Sequence, residues 1–274
     1  MNYEIAIPSF NRPKLIKDKT LKLLGRLGIP NKSIKIFVGS QEQKKLYEKE
    51  LGTSYVIIVT FSKGIMEKRN FLETYYREQT VFDRVLYCDD DLEDILILNK
   101  KNPKVCDSIN KERFDSYISQ IFDFTEYHGL SIFGVSSLHN PFYMSYNTTT
   151  NLKYISGAFK GQIIRRNRHE IHATISHFED YQFACEFFLR DGGVVRSNHI
   201  SIKTKYFIET GGICESMGGL AARKASMIPN SQYMLDRYGP MVKVVDKKWG
   251  PELNLNWRYR YKDESSETDE STTH

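Results

Sequence analysis

The sequence predicts an α/β protein with a mostly parallel central sheet and helices on both faces, organised as a single domain. Short apolar runs alternate with amphipathic or charged segments over the first 90 residues, and polar turns with Gly, Pro or Asn separate them. The 274 residues are enough to bury a sizeable core. Because no repeat and no dividing linker is visible, we expect one domain over residues 1–262 and a disordered acidic tail over 263–274.

The first half of the chain predicts four strands with helices between them. The first strand ends at a proline and a polar turn, and Pro13 stands where a helix would begin. The predicted elements, in chain order, are strand Tyr3–Pro8, a helix from Pro13 that stops before Gly28, strand Ile34–Val38, helix Gln41–Leu51, strand Tyr55–Phe61, helix Gly64–Arg77 and strand Arg84–Cys88. Ligands bind at the carboxyl ends of strands in such sheets, so the loops after strands one, three and four should converge on one crevice.

The second half has a less regular pattern. Its predicted elements are helix Lys111–Tyr127, strands Leu130–Val135 and Tyr154–Ile164 flanking a polar loop over 140–151, helix Phe178–Arg190, a strand pair within Val194–Lys205, and an aromatic and basic segment Leu253–Tyr261. The last of these is either a closing strand or a surface that stacks on a base. Residues 211–223 are rich in Gly and predict a mobile or ligand-contacting loop, which would act as a lid over a diphosphate.

Composition narrows the class of protein. Hydrophobic residues make up 40% and charged residues 27%, which excludes a mostly disordered chain. No apolar stretch approaches the roughly 20 residues that span a bilayer, and the amino terminus predicts a strand rather than a signal peptide. We therefore expect a cytoplasmic protein without membrane association, and derive no oligomeric state. The four cysteines are far apart, which favours reduced thiols over a zinc site or disulfides.

Charge is unevenly distributed along the chain. The net charge is +5, but the last twelve residues hold five acids and no Lys or Arg, so residues 1–262 carry +10. A basic body of this kind favours a polyanionic partner such as nucleic acid or a nucleotide, although many basic proteins bind neither.

Three consecutive carboxylates, Asp89, Asp90 and Asp91, follow the fourth strand directly. Adjacent carboxylates repel each other, and a divalent cation would compensate their charge. Hard oxygen ligands suit Mg²⁺ or Mn²⁺, which keep coordination positions open for phosphate oxygens. The alternative is a solvated acidic turn, but the position at the carboxyl end of a strand favours the metal.

Four motifs together resemble those of glycosyltransferases with the Rossmann-like GT-A fold. They are IPSFNRP at 7–13, GIMEKRN at 64–70, the Asp triple at 89–91 and FED at 178–180, and their order and spacing match over about the first 205 residues. Within that fold, IPSFNRP and the later Gly-rich stretch are most similar to the TET/JBP-associated glycosyltransferases of phages. Those proteins are related to the base J glucosyltransferase and act on 5-hydroxymethylated pyrimidines in DNA.

The resemblance implies roles for residues at matching positions. The residues expected to contact the nucleotide, its diphosphate or the donor sugar are Pro8, Ser9, Asn11, Arg12, Lys68, Arg69, Asn70, Asp89, Asp90 and Gly157. Gly157 would admit the sugar, although a β-bulge explains it nearly as well. Asp91 and Asp89 would bind Mn²⁺ or Mg²⁺, with His199 either as a further ligand or as a histidine at the surface or core edge. The implied donor is UDP-glucose or UDP-N-acetylglucosamine.

The acceptor side is expected to use a carboxylate as general base, since an inverting transfer removes the proton of the attacking hydroxyl. Glu179 and Asp180 are the candidates, and the resemblance favours Asp180. The alternative is an acidic helix start that complements the helix dipole. Basic segments at 165–170 and 203–206 would contact DNA phosphates, or else are solvated faces.

These observations predict a metal-dependent transfer of a sugar from a UDP-sugar to the hydroxymethyl group of 5-hydroxymethylcytosine or 5-hydroxymethyluracil in DNA. One alternative keeps the chemistry with a glycan or lipid acceptor. A second is a Mg²⁺-dependent nuclease or nucleotidyltransferase that uses the same acids. A third is a nucleic-acid-binding protein without catalysis, in which replacing Asp91 would leave activity unchanged.

Overall fold

The computed structural model describes residues 2–204, 220–248 and 250–260. Its strands are β1 Glu4–Pro8, β2 Ile34–Val38, β3 Val56–Val59, β4 Arg84–Cys88, β5 Asp94–Leu98, β6 Cys106–Ser108, β7 Ile132–Ser136, β8 Thr148–Thr149, β9 Phe159–Ile163, β10 Val195–Lys203, β11 Val242–Lys247 and β12 Gly250–Leu255. Its helices are α1 Pro13–Ile16, a π-helical segment Lys17–Leu21, α2 Lys22–Arg26, α3 Gln41–Leu51, α4 Ile65–Glu78, α5 Lys111–Tyr127, α6 Glu179–Asp191 and α7 Leu220–Tyr238.

Within this described part of the chain, ten strands form one mixed sheet in the order β3-β2-β1-β4-β9-β7-β10-β5-β6, with β8 paired to β10. Strands β5, β8 and β9 run opposite to the others. The chain leaves β1 for β2 on one side, whereas β4 pairs with β1 on the other. Such a switch point opens a crevice at the carboxyl ends of the two strands.

Helices cover both faces of the sheet, as the sequence predicts. On one face, Phe133 of β7 packs edge-on against Phe122 of α5, with ring centroids 4.8 Å apart. On the other face, Tyr87 of β4 meets Tyr76 of α4 at 6.2 Å. The ammonium of Lys160 on β9 lies 4.4 Å from the ring of Phe183 on α6. The core is therefore split into two layers by the sheet.

A row of directly paired residues, called the register row here, crosses the sheet beneath α4 and α6 and ends at Arg196. Tyr87 pairs with Lys160, Lys160 with Gly134, and Gly134 with Arg196 of β10. Paired residues in a sheet point to the same face. Arg196 therefore shares the face on which Lys160 meets Phe183.

Several predicted elements are confirmed with their bounds, among them Ile34–Val38, Gln41–Leu51 and Lys111–Tyr127. Two predictions are wrong. Residues 154–158 are irregular and only Phe159–Ile163 forms a strand, because this segment crosses over the sheet before joining it. The expected strand pair in 194–205 is one long strand, β10, with an irregularity between Ser197 and Ser201.

The sequence analysis overlooked β5, β6, β8, α7 and β11, and placed the last strand, β12, too late in the chain. Of the Gly-rich loop predicted at 211–223, residues 211–219 lie outside the described residues, whereas 220–223 begin helix α7 and so are not part of a loop. Cys214, Tyr206 and the acidic tail 263–274 also lie outside the described residues. Cys88 and Cys185 are buried free thiols, as expected. None of the helices in the described ranges is both long and apolar enough to cross a membrane.

Gly161 tests how tightly the sheet face beneath α5 is packed. It pairs with Phe133, and a Cβ at Gly161 would overlap the Phe133 ring. We expect Gly161→Ala to lower the free energy of unfolding by about 1–3 kcal/mol, since overpacking forces the ring to move. Chemical denaturation measures this change. Gly25→Ala in α2 is the matched control, because a Cβ there meets nothing within 4 Å and the helix gains up to about 1 kcal/mol. Equal changes in the free energy of unfolding for Gly161→Ala and Gly25→Ala would contradict the close packing of Phe133 on Gly161.

Candidate functional site

The acidic turn, defined here as Asp89–Asp91, lies at the carboxyl end of β4 and is fixed by its backbone. The amide of Asp89 donates to the Ala158 carbonyl at 2.9 Å. The hydroxyl of Thr20 donates to the Asp89 carbonyl at 2.8 Å and accepts from the amide of Leu92 at 2.9 Å. Since Thr20 is fully buried, the π-helical segment holds both ends of the turn.

Asp90 is bound to the loop after β1. The Ser9 hydroxyl donates to one carboxylate oxygen, and Arg12 Nη1 lies 3.1 Å from the other. Tyr47 of α3 supports this contact, because its hydroxyl lies 2.5 Å from Ser9 Oγ and accepts from the amide of Arg12 at 3.0 Å. Asn11 adopts a φ of 54°, a left-handed conformation that Asn tolerates, at the bend between β1 and α1. Two strand ends thus share a hydrogen-bonded cluster.

Asp91 lies toward the end of β10. Its Oδ1 accepts from the Thr204 hydroxyl at 2.8 Å, and its Oδ2 lies 3.7 Å from Arg12 Nη1. Arg12 therefore serves both Asp90 and Asp91. The chain continues from Thr204 into residues 205–219, outside the described ranges.

Burial and mutual repulsion make the acidic turn electrostatically costly. Burial raises the pKa of Asp89 to about 7, and Asp91, Asp90 and Glu179 add to the rise while Arg69 opposes it. Burial also raises the pKa of Asp90, against the lowering effect of Arg12 and Ser9. The protein's own cations thus leave negative charge uncompensated, a setting in which a divalent cation is favourable.

Lys68 of α4 completes the β1 side of the site. Its buried ammonium donates to the Ser9 carbonyl at 2.6 Å and lies 5.7 Å from the Phe10 ring. Burial lowers the pKa of Lys68 to about 8, although the charge of Asp90 works in the other direction. At neutral pH Lys68 remains a cation with little water around it.

Arg69 joins the acidic turn to α6. Its Nη1 lies 2.7 Å from Glu179 Oε1, and its Nη2 lies 3.8 Å from Asp89 Oδ1. Burial disfavours the charged guanidinium, but Glu179, Asp89 and Asp180 together raise the pKa of Arg69. Gly157 makes room for it, because a Cβ there would overlap the guanidinium. Gly157 lies in a turn before β9, so neither a β-bulge nor an opening for a sugar is needed to explain it.

Asp180 has a different environment from its neighbour Glu179. Glu179 is 7% exposed and bound to Arg69, whereas Asp180 is only half-buried. The Tyr154 hydroxyl donates to Asp180 Oδ2 at 2.5 Å, and the amide of Tyr181 donates to Oδ1 at 3.0 Å. Each carboxylate oxygen of Asp180 thus accepts one of these hydrogen bonds, and a carboxylate oxygen can accept more than one.

Two of the predicted site residues, Asn70 and His199, have partners away from the acidic turn. The amide side chain of Asn70 is paired with the backbone of Ala173, with both hydrogen bonds at 2.8 Å. His199 lies against Tyr117 and Tyr146, with ring centroids 5.9 and 6.2 Å away. His199 lies five residues before Thr204, which follows β10 and binds Asp91. We correct the assignment of Asn70, which fastens α4 to a loop. The aromatic rings around His199 favour the alternative of a histidine at the core edge over a metal ligand.

The basic segment at 165–170 also has structural partners. Arg165 donates to the Leu130 carbonyl, Arg166 donates to the Thr80 carbonyl and pairs with Asp83, and Arg168 lies 2.6 Å from Asp191. These three arginines connect the segment after β9 to the residue two before β7, to the loop between α4 and β4 and to the end of α6, so they are not presented to a nucleic acid as a group.

A cleft with an empty volume of about 430 Å³, partly open to solvent, lies between the β1 loop, α4 and the acidic turn. Its walls include most of the residues predicted to contact a nucleotide: Pro8, Ser9, Arg12, Lys68, Asp89 and Asp90. Phe10, Lys63, Gly64 and Ile65 complete the lining. The cations in this lining, Arg12, Lys63 and Lys68, suit a phosphorylated ligand.

Oxygen donors suited to Mg²⁺ or Mn²⁺ are present in Asp89 and Asp91. Among the residues that the structure describes, no group of three His, Cys, Asp or Glu side chains is close enough to hold a metal. An ion that binds phosphates needs only one or two carboxylates, because it retains water and phosphate oxygens. The donor set therefore fits such an ion and does not form a protein-only cage.

Sequence reasoning missed several residues that shape the site. Tyr47 is a buried aromatic residue of the charged helix α3, a pattern that predicts core packing only. Tyr154 was assigned to a strand, and Thr204 carries no motif. Their contacts join residues between 26 and 113 positions apart, so local patterns could not reveal them.

The chain resembles known proteins in its fold and not in its sequence. No protein-family model and no curated protein sequence matches this chain. A solved structure of glucosyl-3-phosphoglycerate synthase from Mycobacterium tuberculosis matches with a TM-score of 0.50 and 8% identity, over 95% of this chain and 87% of that one. The chain has the GT-A fold.

Two further solved structures are similar at lower scores. Mannosyl-3-phosphoglycerate synthase from Rubrobacter xylanophilus has a TM-score of 0.49 and 11% identity, over 96% of this chain and 85% of that one. TarS 1–349 from S. aureus has a TM-score of 0.46 and 12% identity, over 86% of this chain and 66% of that fragment. The chain thus spans just under two thirds of the TarS fragment.

The lowered pKa of Lys68 predicts a pH-dependent contribution to stability. Between pH 8 and pH 10.5 the unfolded chain retains a proton on Lys68 that the folded protein has lost, so stability rises with pH across that window. We expect the unfolding free energy of the wild type to gain about 2–4 kcal/mol relative to Lys68→Met between these limits. Denaturation at a series of pH values measures it. Lys63→Met removes an exposed lysine of the same cleft, so the difference in unfolding free energy between wild type and this variant should not change with pH. If the difference for Lys68→Met did not change with pH either, the lowered pKa of Lys68 would be refuted.

Proposed function

We propose that the protein is a metal-dependent glycosyltransferase that moves a sugar from a UDP-sugar to a hydroxyl group. The observation that carries the proposal is the acidic turn at the end of β4, which shares a cleft with Ser9, Arg12 and Lys68 in a GT-A fold. The GT-A structure of glucosyl-3-phosphoglycerate synthase contains Mn²⁺, UDP and phosphoglyceric acid. Its donor and metal chemistry suits the oxygen ligands and cations described above.

In the proposed donor site, Asp89 and Asp91 would hold Mn²⁺ or Mg²⁺. When bound, the ion would neutralise the negative charge that appears on the diphosphate as the sugar departs. Arg12 and Lys68 line the cleft as cations and would contact the phosphates or the ribose. Pro8 and Ser9 form the wall against which the uridine would lie.

On the acceptor side we assign Asp180 as the general base. In an inverting displacement the acceptor oxygen attacks the anomeric carbon, the bond from that carbon to the diphosphate oxygen breaks, and the hydroxyl proton passes to Asp180. Glu179 is unsuited to this role because its carboxylate is engaged by Arg69. The Tyr154 hydroxyl holds Asp180 by its Oδ2 and orients the carboxylate.

We further propose that the acceptor hydroxyl is the hydroxymethyl group of a modified pyrimidine in DNA, as in the TET/JBP-associated glycosyltransferases. The net charge of +10 on residues 1–262 supports a polyanionic acceptor. Trp257 is 48% exposed, and Arg258 and Lys153 lie 5.0 and 5.4 Å from its ring, a combination suited to stacking on a base. A glycan or lipid acceptor remains the principal alternative.

The direct test is incubation with UDP-glucose or UDP-N-acetylglucosamine, Mn²⁺ and DNA containing 5-hydroxymethylcytosine or 5-hydroxymethyluracil, followed by mass analysis of the nucleosides. We expect a sugar-sized gain on the modified nucleoside. Asp91→Asn should lower the rate at least about 100-fold, since charge stabilisation on the leaving group is lost. Asp18→Asn, which changes an exposed acid on the π-helical segment, is the control and should retain activity.

Other outcomes of that assay identify the alternatives. UDP release that ignores DNA would move the acceptor to a glycan or lipid. DNA cleavage, or pyrophosphate release without a sugar requirement, would replace the proposal with a nuclease or nucleotidyltransferase. Full activity after treatment with a chelator would exclude the metal-dependent reaction.

The two adjacent acids of α6 should respond differently to neutral substitution. Asp180→Asn is expected to lower kcat about 10²–10⁴-fold with little change in the KM of the donor, because it removes the proton acceptor. Glu179→Gln is expected to destabilise the fold by about 3–5 kcal/mol, because Arg69 loses its closest carboxylate while buried. Steady-state kinetics and thermal unfolding separate the two effects. If Glu179→Gln abolished turnover without loss of stability, the two roles would have to be exchanged.

A further inference from the structure

Arg196 of β10 lies beside the proposed acceptor site. It belongs to the register row that crosses the sheet, paired with Gly134 of β7 on one side and Thr149 of β8 on the other. Because Gly134 has no side chain, Ile155 packs directly onto it, and a Cβ there would lie 2.9 Å from Ile155 Cγ2. This contact brings the segment that contains Tyr154 across the same face, next to Arg196.

Among the residues that the structure describes, the guanidinium of Arg196 has no hydrogen-bond or ion-pair partner. Its Nε is buried without a hydrogen-bond acceptor, and its side chain makes no hydrogen bond or ion pair with any residue of the described ranges. Burial lowers the pKa of Arg196, and the phenols of Tyr154 and Tyr181 only partly offset this. By contrast, Arg69 and Arg168 each meet a carboxylate within 2.7 Å. A partly buried cation with no carboxylate paired to it in the described part of the chain is costly, and a bound anion would relieve the cost.

Lys153 is a second cation on this side of the sheet, two residues before Ile155, which packs on the register partner of Arg196. Burial lowers the pKa of Lys153, and the positive charge of Arg196 lowers it further. The Lys153 ammonium lies 5.4 Å from the Trp257 ring, so an aromatic surface rather than a carboxylate accompanies it. The ring of Tyr154 packs against the ring of Tyr181 on α6, with ring centroids 4.3 Å apart.

Tyr154 links this pair of cations to the proposed base. It precedes Ile155, which packs on Gly134, the register partner of Arg196, and its hydroxyl donates to Asp180 at 2.5 Å. A ligand whose anionic group pairs with Arg196 would therefore present a hydroxyl to Asp180 from one tyrosine side chain away. The planar guanidinium matches the oxygens of a phosphate, and the flexible ammonium of Lys153 adds a point charge.

From these contacts we propose that Arg196 and Lys153 form a phosphate subsite of the acceptor, adjacent to Asp180. The proposal rests on the proposed function, since it specifies which acceptors that active site takes. A phosphodiester of DNA next to the modified nucleotide and the phosphate ester of a small acceptor share this chemistry. The subsite selects acceptors that carry a phosphate close to the reacting hydroxyl.

The first experiment measures phosphate binding without any transfer reaction. Inorganic phosphate is titrated calorimetrically into the wild type, Arg196→Met and Arg196→Lys, in the presence of UDP and Mn²⁺ to occupy the donor cleft. We expect saturable binding that is weakened about 10- to 100-fold in Arg196→Met and partly retained in Arg196→Lys, as for the loss of a charge-assisted hydrogen bond. Arg113→Met is the matched control, because it removes an exposed arginine of α5 on the opposite face of the sheet.

Two further variants keep the titration decisive. Lys68→Met impairs the donor cleft but should leave phosphate binding at Arg196 and Lys153 unchanged. It therefore distinguishes phosphate bound at the subsite from phosphate bound in the donor cleft, even if UDP fails to bind. Lys153→Met should weaken phosphate less than Arg196→Met, and serves if Arg196→Met does not fold as judged by thermal unfolding. The absence of saturable phosphate binding in the wild type, or equal binding by wild type and Arg196→Met, overturns the proposal.

The second experiment identifies the source of the phosphate. Three acceptors are compared: 5-hydroxymethyl-2′-deoxycytidine, its 5′-monophosphate, and a trinucleotide with the modified base in the middle. Arg196→Met should raise the KM of the phosphate-bearing acceptors about 10- to 100-fold without changing kcat, and leave the nucleoside unaffected. Preference for the trinucleotide indicates DNA, and preference for the monophosphate indicates a small acceptor.

An equal loss for all three acceptors would show that Arg196 merely supports the fold, and would overturn the subsite. If none of the three accepts a sugar, the DNA acceptor of the proposed function fails. The phosphate titration still decides the subsite in that case, because it requires no turnover.

Discussion

The guanidinium of Arg69 holds together two carboxylates that arrive from distant parts of the chain. Glu179 begins α6, 110 residues after Arg69, and Asp89 begins the acidic turn after β4. A buried charge of this kind is tolerated only with partners in good geometry, so the two carboxylates and the guanidinium depend on one another. Gly157 is the remaining requirement, because any side chain there would occupy the space of Arg69. The relative position of the proposed donor and acceptor sides follows from this contact.

Environment, rather than residue type, separates the two acids of α6. Glu179 is buried and paired, so its charge is used to stabilise Arg69. Asp180 faces a tyrosine hydroxyl and remains half-buried, which leaves it able to take up a proton. Adjacent helix residues point about 100° apart, so one segment can supply a structural and a chemical carboxylate without conflict. An acidic helix start and a catalytic carboxylate are therefore compatible interpretations of the same motif.

Local patterns predicted the parts of the molecule that depend on local physics. The alternation of apolar runs with helical segments identified β2, α3 and α5 to the residue, and the acidic turn was recognised from its position after a strand. Asn70 was misassigned because its partner, the backbone of Ala173, is brought to it only by tertiary packing. For His199 and for the basic run at 165–170 the sequence left two alternatives open, and only tertiary contacts favour the structural one: the ring of Tyr146 lies beside His199, and carbonyls and acids of other elements accept from the arginines. Arg196 could not be recognised from sequence, because what marks it is the absence of a partner among the described residues.

The acidic turn also couples the binding of the proposed metal ion to the binding of the proposed nucleotide. Arg12 is shared by Asp90 and Asp91, and Ser9 and Thr204 occupy further carboxylate oxygens, so the described chain offers few open oxygens to an ion. With so few protein ligands, the affinity for the ion must rise when phosphate oxygens enter the cleft, and by linkage the affinity for the nucleotide must rise equally with the ion. The raised pKa of Asp89 acts in the same direction, because an approaching cation favours the ionised carboxylate. Donor and metal are then expected to assemble as one unit on a turn whose position the protein has already fixed through Thr20 and Arg69.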